Sequence, residues 1–217
     1  MTLTHPIIGT LIVALALCPP SGLAQNKDYR LGSDGIKNLD LGTSKVGTVV
    51  MMNLKDKGSP PSAALAPAFM SALMSGLRKK GYDPAPLYTG VSEKVSFLNP
   101  VKSLRNLRPA LRQPVFDTPA VKDVAAVFVV WVQLKLEKPS FGGLGAVGLG
   151  TVPVWEGRAY LEVFSADGDP LVMVYTPVHG YSLGSSQGTY AVLTPDEVAA
   201  SAIAPVLFHL RPYAVHK

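Results

Sequence analysis

The sequence predicts a two-layer α/β domain: a mixed sheet of about five strands with helices on one face, in the order β-α-β-(short α)-β-β-β-α. Three observations carry this. Apolar runs suited to buried strands stand at Val46 to Met52 and Val124 to Val132, and a third long strand, Val152 to Phe164, carries aromatic bulk at Trp155, Tyr160 and Phe164. Leu65, Phe69, Leu73 and Leu77 stand four residues apart, the spacing of one helix face. Thr194-Pro195-Asp196-Glu197 is a capping box with proline at the first helical position, which opens a second helix.

Taken in order, the first strand covers Lys45 to Asn53, and the polar loop Lys55 to Pro61 closes it. The helix that follows runs from about Ser62 to Lys80. Pro67 lacks an N–H, so its regular part is expected to start near Ala66; Lys79 and Lys80 suit its negative end and Gly81 stops it. Tyr82 to Tyr88 reads as a strand whose Pro84 and Pro86 put it at a sheet edge. From Gly90 to Pro119 the pattern is irregular, apart from a short helix with Asn99 as its cap and Pro100 in first position. Asp123 to Glu137 begins almost wholly apolar and ends in alternation, so one end is buried on both faces and the other on one. A Gly-rich connection, Phe141 to Thr151, leads to the strand Val152 to Phe164. Ala166-Asp167-Gly168-Asp169 turns it into Leu171 to Thr176. The closing helix carries Val198, Ala202, Ile203, Val206 and Leu210, with Pro205 inside it.

Ahead of the domain, an uncharged apolar run from Ile7 to Leu17 is too short to span a bilayer and is followed by small residues at Gly22 and Ala24. This is the pattern of an export signal, residues 1–24, cut after Ala24. Residues 25–44, polar and Gly-rich without an apolar period, read as a flexible lead-in, and 45–213 as a single domain. Leu15-Ala16-Leu17-Cys18 is close to a lipobox, with Leu17 where that motif has a small residue; if the chain is lipidated, Cys18 is the anchor. It is the single cysteine, so no disulfide can form within the chain. The charge, twenty basic against fifteen acidic residues, gives +5. That suits weak attraction to anionic surfaces and falls short of a nucleic-acid footprint.

Two motifs invite an enzymatic reading and lack its context. Gly143-Leu144-Gly145-Ala146-Val147-Gly148 fits G-x-G-x-x-G, but the residues after it read as strand, whereas a pyrophosphate needs a helix N-terminus there. Gly184-Ser185-Ser186-Gln187-Gly188 fits the nucleophile elbow, but no helix follows directly, and Asp196 and His209 come too soon after Ser186 to be its partners. His179, His209 and His216 show no metal-ligand spacing. Asp167 and Asp169 flank a turn glycine rather than fill a calcium loop. No cofactor, metal or catalytic residue is therefore expected. The strongest local asymmetry is basic: Lys94, Lys102, Arg105, Arg108 and Arg112, with no acid between Glu93 and Asp117. The uncharged stretch Phe141 to Val154, with Leu144 and Val147, is the other surface suited to contact.

The strand Val46 to Asn53, the turn Leu77-Arg78-Lys79-Lys80-Gly81-Tyr82 and the strand Asp123-Val124-Ala125-Ala126-Val127 resemble the small bacterial envelope lipoproteins related to the curli-export lipoprotein and to the auxiliary lipoprotein of some ABC transporters. Ser165-Ala166-Asp167-Gly168 stands where that family turns its sheet meander. The resemblance implies a non-enzymatic component of the periplasm or the outer membrane's periplasmic face, working by assembly with envelope proteins. Lys102, Arg105, Arg108, Arg112, Phe141, Leu144 and Val147 are the candidate partner-binding residues, with peripheral membrane contact as a further role. Oligomeric state is left open. The alternative is a periplasmic carrier of a small ligand or lipid, its pocket lined by Phe69, Met70, Leu73, Phe128 and Trp131. A serine hydrolase at Ser186 is the third reading.

Overall fold

The computed structural model describes residues 30–31, 36–37, 39, 41–54, 60–91, 107–137, 154–183 and 190–213. In chain order the elements are β1 (Arg30–Leu31), β2 (Lys45–Leu54), α1 (Pro60–Lys79), β3 (Asp83–Val91), β4 (Ala126–Glu137), β5 (Val154–Ser165), β6 (Pro170–His179), β7 (Tyr181–Leu183), β8 (Tyr190–Val192) and α2 (Pro195–Phe208). Short helical turns, Arg108–Leu111, Arg112–Phe116 and Pro119–Asp123, fill the interval before β4. Six strands form one mixed sheet in the order β1-β6-β5-β4-β2-β3, and β7 pairs with β8 apart from it.

The most apolar strand, β4, sits inside the sheet, parallel to β2 and antiparallel to β5. Both faces of its first half are buried, as a run without alternation requires. β3 lies parallel to β2 at the edge, where Pro84 and Pro86 cost no interior ladder bond. β2 and β3 point the same way, so a crossover must join them, and α1 supplies it.

Helices α1 and α2 cover one face. Leu65, Phe69, Leu73 and Leu77 of α1 and Val198, Ala202, Ile203 and Val206 of α2 are buried against Val46, Val50, Phe128, Val130 and Leu161. Each large apolar side chain so buried contributes roughly 1.5–3 kcal/mol. The helix α1 starts at Pro60, earlier than the expected Ala66, and holds Pro67 within it. The proline ring is exposed, and so is Ala63, whose carbonyl loses its partner to the missing N–H; burial of Leu65 and Phe69 on the other side carries the helix through. Its end follows the sequence. Gly81 takes φ +84°, with the Gly81 N–H donating to the Arg78 carbonyl and the Tyr82 N–H to that of Leu77, a Schellman closure.

The lead-in is partly built into the domain. Arg30–Leu31 adds a sixth strand parallel to β6, Ile36 is wholly buried in the helix-side core, and Leu39 and Leu41 pack against it. Isolated apolar anchors in a polar segment produce no period, so the sequence reads as a tether from 25 to 44 although part of it is docked. The short helix expected at Asn99 and Pro100 lies outside the described residues.

Helix α2 begins as its capping box demands. The Thr194 hydroxyl accepts from the Glu197 N–H, and the Glu197 carboxylate accepts from the Thr194 N–H at 2.8 Å and from its hydroxyl at 2.9 Å. The backbone bond first, and the hydroxyl bond after it, hold the Glu197 carboxyl below its ordinary value of 4.5. A lowered folded-state value means the contribution is present above pH 4.5 and is lost as pH falls through the folded value. Thr194→Ala is expected to cost about 1 kcal/mol in urea unfolding at neutral pH, and the deficit relative to the unaltered chain is expected to shrink in acid. A deficit that stays constant from neutral pH into acid would show that the hydroxyl bond adds nothing to the linkage.

Candidate functional site

The second face of the sheet is where charge and chemistry gather. Its first half is roofed by the segment 107–124: Leu111, Val115, Val121 and Val124 pack onto Val49, Val127, Val129, Trp131, Tyr160 and Phe164. Inside this layer is a carboxylate. Glu162, at 0% exposure, stands on β5 between the aromatic side chains Tyr160 and Phe164 of the same face. One of its oxygens, Oε1, accepts from Arg108 Nε at 2.9 Å and also from Arg108 Nη2; the other, Oε2, accepts from Trp131 Nε1 at 3.1 Å. The guanidinium carbon also lies 5.7 Å from the centre of the Phe164 ring. A buried charge is tolerable when paired and hydrogen-bonded, and both conditions hold. Closed off from solvent, Glu162 is a clamp for the roof.

This places Arg108, expected on a partner-binding surface, in a structural role. Its charge is answered inside the protein. Arg112 is exposed and makes a loose pair with Asp117 at 3.8 Å. Together Arg108, Arg112, Phe116, Asp117, Lys122 and Asp167 border a shallow cleft of about 620 Å³. Cations and carboxylates both border it, so an anion there would meet Asp117 and Asp167 as well as the donors. Lys102, Arg105, Phe141, Leu144, Val147, Cys18 and Ser186 lie outside the described residues.

The five residues of the expected ligand pocket do not come together. Phe69, Leu73 and Phe128 are wholly buried in the helix-side core with Met70 beside them, whereas Trp131 belongs to the opposite face. Phe128 and Trp131 are an odd number of positions apart on β4, so strand alternation sends them to opposite sides. Shared size and apolarity suggest one pocket; their bulk packs two separate layers.

Beyond the roof, the same face carries half-exposed and exposed polar side chains among the described residues. Continuing the alternation from Trp131 and Tyr160 brings Gln133 and Lys135 on β4, Glu156 and Arg158 on β5, and Tyr175, Pro177 and His179 on β6 to this side. In register, Lys135 stands opposite Glu156 and Glu156 opposite His179; Arg158 lies between Gln133 and Pro177. Tyr175 is 66% exposed, its ring 6.0 Å from that of buried Tyr160, and Arg158, Pro177 and His179 are exposed around it. The His179 and Tyr181 rings are 5.6 Å apart. Neither Tyr175 nor Glu162 stands out among the residues that the sequence reading selects. The available signal is the alternation Glu156, Arg158, Tyr160, Glu162, Phe164, which puts a polar row and an acid on one face of an otherwise apolar strand. Among the described residues, no three His, Cys, Asp or Glu side chains converge as metal ligands.

Among the described residues, fold and face together define a sheet-and-helix domain with helices packed on one face and, on the other, a roof over one half and exposed side chains beyond it. No family model and no curated protein matches the chain. Among solved structures, it is similar to a PelC dodecamer from Paraburkholderia phytofirmans at 14% identity and TM-score 0.36, over 79% of this chain and 90% of that one. A point variant of the same dodecamer aligns at 15% identity and TM-score 0.34, over 79% and 90%. A neuraminyllactose-binding hemagglutinin homolog from Helicobacter pylori aligns at 14% and 0.35, over 77% and 78%.

Proposed function

We propose that this chain is an exported envelope protein that works by binding other envelope proteins, with no catalytic role of its own. The observation that carries the reading is the exposed patch on the second sheet face, where Tyr175 is surrounded by Arg158, Pro177 and His179. Protein interfaces favour tyrosine and arginine on a rigid support, because both supply large contact area and directional hydrogen bonds for little lost freedom. Here the support is the antiparallel pair β5 and β6. The export signal and the resemblance to envelope lipoproteins supply the compartment and the mode of action. Arg108 leaves the partner-binding set, since its charge is spent on Glu162.

The test is capture of the tagged chain after cross-linking in its native envelope, repeated with Tyr175→Ala and Arg158→Glu. A co-purifying protein in near-stoichiometric amount is expected, with its affinity reduced by about thirtyfold or more in each variant. Thermal stability should stay unchanged, because both side chains are exposed. Full retention of the partner in both variants would remove this face from the reading. Labelling of Ser186 by a fluorophosphonate probe would replace the reading with a hydrolase.

A further inference from the structure

The two long helices end together. Gly76 on α1 faces Leu207 on α2, the Lys80 ammonium donates to the Phe208 carbonyl at 3.1 Å, and the Tyr213 N–H donates to the Lys80 carbonyl at 2.7 Å. The helices therefore run side by side in the same direction. Their outer seam is a groove of about 300 Å³ floored by Ala72, Gly76, Ala204 and Leu207. At its mouth stands Phe208, 71% exposed, the most exposed large apolar side chain among the described residues. Lys79 and Lys80 line the same groove, and Arg78 and Arg211 are exposed nearby. From Arg78 to Tyr82 and from Phe208 to Tyr213 there is no acidic residue; Asp83 is the first.

A lysine near a helix C-terminus is explained by the helix dipole alone. The dipole accounts for neither a phenylalanine held out in water nor an apolar groove opening beside it. An apolar side chain projecting from a ring of cations is the arrangement by which a protein meets an anionic lipid surface: the ring enters below the head groups and the cations sit at the phosphates. We propose that the joined ends of α1 and α2 form a docking face for an anionic phospholipid bilayer, with Phe208 as the inserted residue and Lys79, Lys80 and Arg211 as the phosphate contacts. The opposite side of the molecule, with Tyr175, stays available to a protein, and this docking does not depend on the assembly reading.

The experiment is co-sedimentation of the full chain with vesicles of phosphatidylglycerol mixed with phosphatidylcholine, and with vesicles of phosphatidylcholine alone, in parallel with Lys79→Glu and Phe208→Ser. Both side chains are exposed, so both variants should melt as the unaltered chain does. The anionic vesicles are expected to bind the unaltered chain more tightly. Lys79→Glu should weaken that binding by about tenfold or more, since one cation near such a surface is worth about a factor of five and the charge is reversed. Phe208→Ser should weaken it by about tenfold. A further variant, Phe208→Trp, reports insertion directly. Trp131 and Trp155 are buried, so the emission that brominated lipids quench should come from position 208. Binding of both variants equal to that of the unaltered chain overturns the proposal, as does unquenched emission from Phe208→Trp. A lipid-free oligomer that Phe208→Ser dissolves would assign the groove to a second copy of the chain and overturn it too.

Discussion

Arg108→Met is expected to destabilise the protein by about 3–5 kcal/mol, because it leaves the Glu162 carboxylate buried with its principal partner gone. The effect is out of proportion to where Arg108 sits in the sequence, inside a stretch that looks like a solvated basic surface. The double variant Arg108→Met with Glu162→Leu should recover much of the loss, since it removes the charge as well as its partner. It leaves the Trp131 N–H without its acceptor, so recovery stops short of complete. Urea unfolding of the four chains gives a coupling energy, and a large one is expected for groups in direct contact. If Arg108→Met costs under about 1 kcal/mol, the pair behaves as a surface ion pair and the roof does not depend on it.

Phe69→Ala should cost about 3–5 kcal/mol by the same measurement. Phe69 is wholly buried between α1 and the sheet, and truncation leaves a cavity that the helix can close only by moving toward β2 and β4. The variant also separates two roles. A residue lining a ligand pocket would lose ligand on truncation with little loss of stability, whereas a packing residue loses stability. A shift in the unfolding midpoint near zero would return Phe69 to the carrier alternative. Phe208→Ser, on the exposed side of the other helix, is the internal control, with an expected change within about 0.5 kcal/mol.

Those two variants also show what can be read in advance. Phe69 is legible as a helix-face residue because its neighbours at four-residue spacing announce a face, and periodicity is a local property. The edge position of β3 is legible from Pro84 and Pro86, and the start of α2 from Thr194 and Glu197, for the same reason: each signal is contained in a few residues. The Arg108–Glu162 clamp is not, because its members are far apart in sequence and only the β4–β5 register and the path of 107–124 bring them together. For Trp131, bulk points to the wrong face, and parity along the strand is the better guide. Docking of Ile36 is hidden because one anchor has no period. The exposed patch around Tyr175 is likewise a property of where the roof ends.

The pairing of β2 with β4 bears on the proposed export route. Val46 meets Ala126 and Leu54 meets Leu134, so the sheet's parallel centre joins strands separated by α1, β3 and the whole 107–124 roof. Contacts between such distant parts of a chain form slowly, since much conformational freedom is surrendered before any of them repays it. For a protein that is exported unfolded, such a delay is an advantage. On the proposed export, the first long strand waits for a neighbour made much later, so the sheet would close only after the chain has been threaded.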